Sequence, residues 1–185
     1  GHDSSGRFVP YLVKSGSSIS FEPLLDYDKD GAGDYYQIPK RTGLITLVNP
    51  YMYNVGGKEI FITSLVLPIF DSNNSFEGIV GADIRVDDLQ GTIEKMKPMG
   101  GYTALISADG NFVAHGLDEK LIAQNSKSDN ISEETLTRIQ KGEEVKEYGY
   151  SPVTKNNVLR IYSPIHIEGT NSYWAFVSII PKGII

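Results

Sequence analysis

The chain has 185 residues, 40% hydrophobic and 22% charged, a composition that can pack a core and excludes a disordered segment. A net charge of −6, a pI near 5.1 and the lack of any Lys/Arg cluster exclude a phosphate-tracking surface, so no nucleic-acid partner is expected. The absence of cysteine removes disulfides, thiolate metal sites and a cysteine nucleophile and suits an extracytoplasmic domain, and no apolar run reaches the roughly 20 residues a membrane helix needs.

The chain starts at Gly1-His2-Asp3 and stops in mid-pattern after Pro181, and is expected to be a piece of something longer. Residues 7–19 alternate loosely around Phe8, Tyr11 and Val13 and turn at Ser15-Gly16-Ser17-Ser18, which predicts a strand and hairpin with Pro10 at an edge. A turn-rich acidic loop, 26–34, precedes one helical turn over 35–40, ended at Pro39. Strands are expected over 44–48, 51–55 and 59–70, with Gly56-Gly57 as a tight turn, and a hairpin loop at 71–75 leads to a buried strand over 76–86. Asp87 is expected to cap a helix burying Leu89, Ile93 and Met96.

The second half opens with strands over 102–106 and 112–115 around the turn Ala108-Asp109-Gly110-Asn111. Ser132 is the expected N-cap of a helix over 133–141 that buries Leu136 and Ile139 and closes at Gly142. Strands follow over 145–150, 158–165 and 173–180. Leu65-Val66-Leu67-Pro68-Ile69 is repeated as Ile161-Tyr162-Ser163-Pro164-Ile165, a period of about 96 residues, which predicts two modules of one architecture, 1–97 and 98–185. Asp83 in the first copy then falls opposite Ile180 in the second, which favours a site in the first.

Asp26-x-Asp28-x-Asp30-Gly31-x-x-Asp34 supplies oxygens at the spacing of an EF-hand loop, but position twelve is Gln37 and the entering segment carries Pro23. A solvated acidic turn is the preferred reading, with calcium at Asp26, Asp28, Asp30 and Asp34 as its rival and no other metal site expected. The alternative function built on it is a calcium-binding or hydrolytic extracellular domain using loop 26–34. His2, His115 and His166 stand far apart without a second histidine at metal spacing, and read as satisfied or surface residues. There is no Gly-x-Ser-x-Gly elbow and no phosphate loop, so neither catalysis nor a cofactor is expected. Each of the 11 tyrosines alone reads as a core residue with a satisfied hydroxyl. Around an acid such as Asp83, which is costly to bury without a partner, several of them together suggest a pocket for a cation or amine.

Asp34-Tyr35-Tyr36, Asn49-Pro50-Tyr51, Pro68-Ile69 and Phe76-Glu-Gly-Ile-Val-Gly-Ala-Asp83-Ile84 resemble the double Cache domain of bacterial and archaeal receptors. The resemblance spans essentially the whole chain and implies an α+β (mixed) fold of two tandem PAS-like modules, each an antiparallel sheet flanked by helices. It implies the extracytoplasmic sensor of a chemotaxis protein or sensor histidine kinase in the cell membrane, anchored by transmembrane segments outside this chain. A long N-terminal helix is likewise expected outside it, and a homodimeric full-length receptor is compatible with the resemblance. The amino-acid-sensing branch uses an arginine two residues before a Trp-Tyr pair, a later tyrosine and the aspartate of a Gly-x-Asp strand. Tyr35-Tyr36, Tyr51 and Asp83 match these positions, whereas Gly33 stands at the arginine. The implied ligand-binding set is Tyr35, Tyr36, Tyr51, Tyr53 and Asp83, with Tyr27, Asp34 and Thr63. Without a guanidinium to hold a carboxylate, an amine or a nucleobase-like ring is the favoured small-molecule ligand over an ordinary amino acid.

Overall fold

The computed structural model describes residues 1–184. The chain is mixed α+β, its strands all pairing antiparallel where the register is defined, and it divides into two compact units, Gly1–Ala82 and residues 83 onward. The division lies ahead of Lys97, the boundary read from the repeat.

In the first unit a two-stranded hairpin, β1 (Pro10–Ser15) and β2 (Ser18–Pro23), starts the fold, with Pro10 opposite Pro23 at its open end. There the missing N–H of each proline costs no ladder bond in a larger sheet. Helix α1 (Asp34–Thr42) runs past Pro39 rather than ending at it, because the ring is buried and the helix still closes through Gly43 N–H on the Pro39 carbonyl at 2.9 Å. Gly43 has φ +69°, the left-handed cap that glycine adopts without strain.

Strand β5 (Lys58–Phe70) organises the first sheet, since β3 (Thr46–Leu47), β4 (Tyr51–Val55) and β6 (Phe76–Arg85) all pair with it. β3 is only two residues long, so the strand expected over 44–48 is mostly connection. Gly56 and Gly57 take φ +58° and +82°, the doubly positive turn that joins β4 to β5 without splaying them. The end of β6 departs from expectation, for residues 81–85 are all exposed, Asp83 among them. Its carboxylate therefore carries no burial cost in this structure.

In the second unit α2 (Val86–Ile93) begins one residue before the expected cap, and Asp87 lies in its first turn instead. Its buried face is Val86, Gln90 and Ile93, whereas Met96 is 44% exposed. Five strands follow in the order β8-β7-β11-β10-β9: β7 (Tyr102–Ile106), β8 (Phe112–His115), β9 (Val145–Ser151), β10 (Asn156–His166) and β11 (Tyr173–Pro181). α3 (Glu133–Ile139) packs on β9, β10 and β11, and Ser132 caps it as expected, its Oγ accepting from Thr135 N–H at 3.1 Å. Ala104, Ile106, Val158, Tyr162 and Val177, all wholly buried, form the centre of the core, each large side chain contributing about 1.5–3 kcal/mol of transfer free energy. β8 is an edge strand whose open side is occupied: Phe112 N–H bonds Gln124 O and Ala123 N–H bonds Phe112 O, at 2.9 and 2.8 Å.

Candidate functional site

Two of the stretches quoted from the sequence, 34–36 and 49–51 with Tyr53 beyond it, meet in the first unit. On β4 the two-residue period puts Tyr51 and Tyr53 on one face, and α1 lays Tyr35 against them. The Tyr35 and Tyr51 rings stack at 6.4 Å and 12°, and Tyr53 meets both edge-on at 6.0 and 6.1 Å. Tyr36 packs against the same cluster and meets Tyr27 edge-on at 5.8 Å and Phe76 at 5.6 Å. Offset and edge-on rings of this kind add about 0.5–1.5 kcal/mol per pair beyond their buried area.

The hydroxyls show what several of these rings do. Tyr35 donates to the Leu25 carbonyl at 2.6 Å, and the Leu25 N–H donates to the Tyr53 hydroxyl at 2.9 Å, so two tyrosines clamp one residue of the connection after β2. Burial pushes the Tyr35 phenol pKa well up, which keeps it a donor. Thr63 donates to the Val48 carbonyl at 2.6 Å. Tyr35, Tyr53 and Thr63 are thus committed to the core, 4%, 6% and 1% exposed. Tyr51, half-buried, shares a 2.8 Å hydrogen bond with Ser64 Oγ. Tyr36 and Tyr27 are half-buried as well, and the cations on their rings belong to the protein: Lys40 Nζ lies 5.5 Å from the Tyr36 centroid and the Arg7 guanidinium 4.8 Å from that of Tyr27. Tyr27 also donates to Asp3, which draws the Asp3 carboxyl down to about 2.

Three of the four acids of loop 26–34 have partners in the protein itself. Asp28 pairs with Arg7 at 3.4 Å, Asp26 with Lys29 at 2.7 Å, and Asp34 Oδ1 accepts from Gly31 N–H at 3.2 Å. Gln37, where a calcium loop needs glutamate, donates to the Tyr27 carbonyl at 2.6 Å. Among the described residues no three acids or histidines converge to hold a metal. Gly33 explains the missing arginine in geometric terms: a Cβ there would lie 2.4 Å from Asp26 O and 2.5 Å from Lys29 O. No side chain fits at that position while the loop keeps its course.

The second unit holds a buried polar group that the sequence reading missed. Arg160 and Asp129, 1% and 2% exposed, form an ion pair at 3.3 Å. Asp129 also accepts from Ser151 Oγ at 2.8 Å and from the Tyr102 hydroxyl at 3.5 Å, and burial pushes the Tyr102 phenol up to about 12. The signal was an arginine on the alternating apolar run Val158-Leu159-Arg160-Ile161-Tyr162. His115, read as satisfied or surface, is 1% exposed; its Nδ1 accepts from Asp118 N–H at 3.0 Å, and burial holds its pKa below the usual range. A surface cleft of about 690 Å³ also opens in this unit, walled by Glu94, Lys95, Lys97, Glu119 and residues 115–117, with no tyrosine among them.

Two mixed units, each with an antiparallel sheet and short helices, define a tandem PAS-like architecture. The chain belongs to the Cache domain family, whose model matches residues 4–185. It is 23% identical over 98% of its length to the methyl-accepting chemotaxis protein TlpQ of Pseudomonas aeruginosa, and 26% identical over 80% to the methyl-accepting chemotaxis protein PscA of Pseudomonas syringae pv. tomato. It spans about a quarter of each, 27% and 24%. Among solved structures it is similar to the extracellular domain of mmHK1S-Z3, assigned as a histidine kinase, with a TM-score of 0.84 and 30% identity over 99% of this chain and 65% of that one. The fold is shared with the ligand-binding domain of the P. aeruginosa PAO1 chemoreceptor PctB in complex with L-Arg, TM-score 0.61 at 19% identity over 94% of this chain and 66% of that one.

Proposed function

We propose that the chain is the extracytoplasmic ligand-sensing domain of a transmembrane receptor that controls chemotaxis or a histidine kinase, and that its small molecule binds in the first module. The observation that carries this reading is the family match over residues 4–185, joined to relatives that are chemotaxis proteins and an extracellular kinase domain. No helix among the described residues is long and apolar enough to cross a membrane, so the proposed anchoring belongs to segments beyond this chain.

The proposed ligand is an amine or a nucleobase-like ring. Tyr36 and Tyr51, which keep part of their rings exposed, are the proposed aromatic contacts, and Asp83 is the proposed anion for a protonated amine or ring N–H. Tyr35, Tyr53 and Thr63 act in this reading by holding Tyr51 and α1 in place, and Tyr27 and Asp34 by fixing the loop that enters the helix. The space around Gly33 supports the choice of ligand, since the position that would carry a carboxylate-binding arginine accepts no side chain. A thermal-shift screen of the purified chain against amines, amino acids, purines and organic acids tests the proposal, because a ligand of the folded state raises its melting temperature. A shift confined to amines or purines and lost in Tyr36→Ala supports it. Shifts from organic acids alone refute the ligand class, and a shift untouched by Tyr36→Ala and Tyr51→Ala refutes the site.

A further inference from the structure

The two sheets repeat one another closely enough to compare position by position. The offset of about 96 residues that aligns Pro68 on β5 with Pro164 on β10 aligns Ser64 with Arg160 and Ile62 with Val158. The neighbouring strands agree, for Tyr51 faces Ile62 across β4–β5 and Gly149 faces Val158 across β9–β10. The first unit's pair Tyr51 and Ser64, hydroxyls 2.8 Å apart, thus corresponds to Gly149 and Arg160 in the second. Bulk has changed strands. A Cβ on Gly149 would lie 2.9 Å from Arg160 Nη1, so the glycine leaves the hollow into which the guanidinium folds.

That guanidinium is held through one nitrogen, Nη2, while its Nε is buried without a hydrogen-bond partner. Arg160 Nη2 donates to the Asp129 carbonyl at 2.7 Å and the Tyr150 carbonyl at 3.3 Å, and lies 3.3 Å from Asp129 Oδ2. Asp129 comes from the one-turn helix Ser126–Asp129, which is not part of the sheet, so the pair ties that turn to the strands beneath it. A guanidinium without a counter-charge would not stay buried, and a carboxylate alone would fare no better. Each therefore holds the other in place. We infer that Arg160 and Asp129 are a built-in plug: the second module carries its own guanidinium on the sheet face that corresponds to Tyr51 and Ser64, and beneath it lies a latent site for a guanidinium compound. This holds whichever molecule the first module binds.

Removing the Arg160 side chain leaves a hollow with a carboxylate, two carbonyls, a serine and a tyrosine hydroxyl as its walls. The test uses the full chain, parent and Arg160→Ala, with ethylguanidinium chloride at low millimolar concentration and ethylammonium chloride at equal ionic strength. Arg160→Ala should melt well below the parent, and ethylguanidinium should restore part of that loss in the variant while leaving the parent unmoved. Calorimetry should give at least tenfold tighter binding of ethylguanidinium to the variant than to the parent, and the gain should vanish in Arg160→Ala/Asp129→Asn. If Arg160→Ala does not fold alone, recovery of folded protein by ethylguanidinium and not by ethylammonium supports the plug equally, and failure to recover it overturns the inference. Equal effects of the two cations on Arg160→Ala, or ethylguanidinium binding to the parent as tightly as to the variant, also overturn it.

Discussion

Gly33→Ala adds one methyl group where three backbone atoms already stand, 2.4 Å (Asp26 O), 2.5 Å (Lys29 O) and 2.9 Å (Tyr27 C) from the new Cβ, against the 3.4–4 Å of ordinary contact. The backbone itself would accept alanine, since φ is −97°, so the whole cost is steric. Relief requires loop 26–33 to move away from α1. That strains the bonds Lys29 N–H to Asp26 O and Gly33 N–H to Lys29 O, both 2.8 Å, and the first helical bonds from Tyr36 and Gln37 to Gly33 O. Overpacking costs about 1–3 kcal/mol and each lost hydrogen bond about 1 kcal/mol, so a destabilisation of about 2–4 kcal/mol is expected. For a unit of this size that lowers Tm by about 8 °C or more. The only tryptophan, Trp174, reports on the second unit, so the melt is best followed by tyrosine near-UV circular dichroism. Gly78→Ala, whose Cβ would meet nothing within 4 Å, is the control and should stay within about 2 °C of the parent. A Gly33→Ala melt within that same margin would refute the reasoning. Gly33→Arg starts from the same Cβ and should lose stability similarly without gaining affinity for amino acids.

Ser132→Ala removes the Oγ that accepts from Thr135 N–H and should cost about 1 kcal/mol in urea denaturation, a neutral result telling against the cap. The His115 pKa is held below 6.5 by burial, so between that folded value and 6.5 the unfolded chain binds more protons. Stability should then fall as pH drops from 6.5 through the folded value, by at most about 1.4 kcal/mol per pH unit, and denaturation curves that coincide at pH 7.5 and pH 5.5 would sink this. For a screened cationic ligand, Asp83→Ala should remove most affinity and Asp83→Asn should cost on the order of 2 kcal/mol, whereas a neutral ring should lose less in Asp83→Asn; parent-like titrations for both variants would leave Asp83 no part in binding.

Local chemistry was legible in the sequence wherever it was decided locally. The Gly56-Gly57 turn, the Ser132 cap and the alternation that puts Tyr51 and Tyr53 on one face depend on neighbours a few residues away. What stayed hidden was decided by residues far along the chain. The α2 face shifted because Gln90, not an apolar residue, is buried: its side chain accepts from His115 N–H at 2.9 Å and donates to His115 O at 3.1 Å. Pro39 lies inside α1 because tertiary packing buries its ring, a preference no local rule contains. Tyrosine composition pointed to a cluster that the fold does assemble, but only the partners of each hydroxyl separate Tyr35 and Tyr53, which brace the core, from Tyr36 and Tyr51. Arg160 was passed over because an arginine on a strand usually reaches solvent, and its carboxylate partner stands on a turn 31 positions earlier.

The Gln90 contact has a consequence for how the second sheet meets other chains. A strand edge with open N–H and C=O groups invites a further strand, and a five-stranded sheet offers two such edges. On β8 both backbone groups of His115 are taken by the Gln90 amide, a side chain imitating the peptide of a neighbouring strand, while residues 123 and 124 bond Phe112. The β8 side is sealed by the protein's own atoms. On the β9 side the Tyr150 carbonyl is taken too, by Arg160 Nη2 at 3.3 Å and Asn130 Nδ2 at 3.4 Å, so strand addition, whether by a partner peptide or in aggregation, is left the stretch of β9 around the exposed Lys146 and Tyr148.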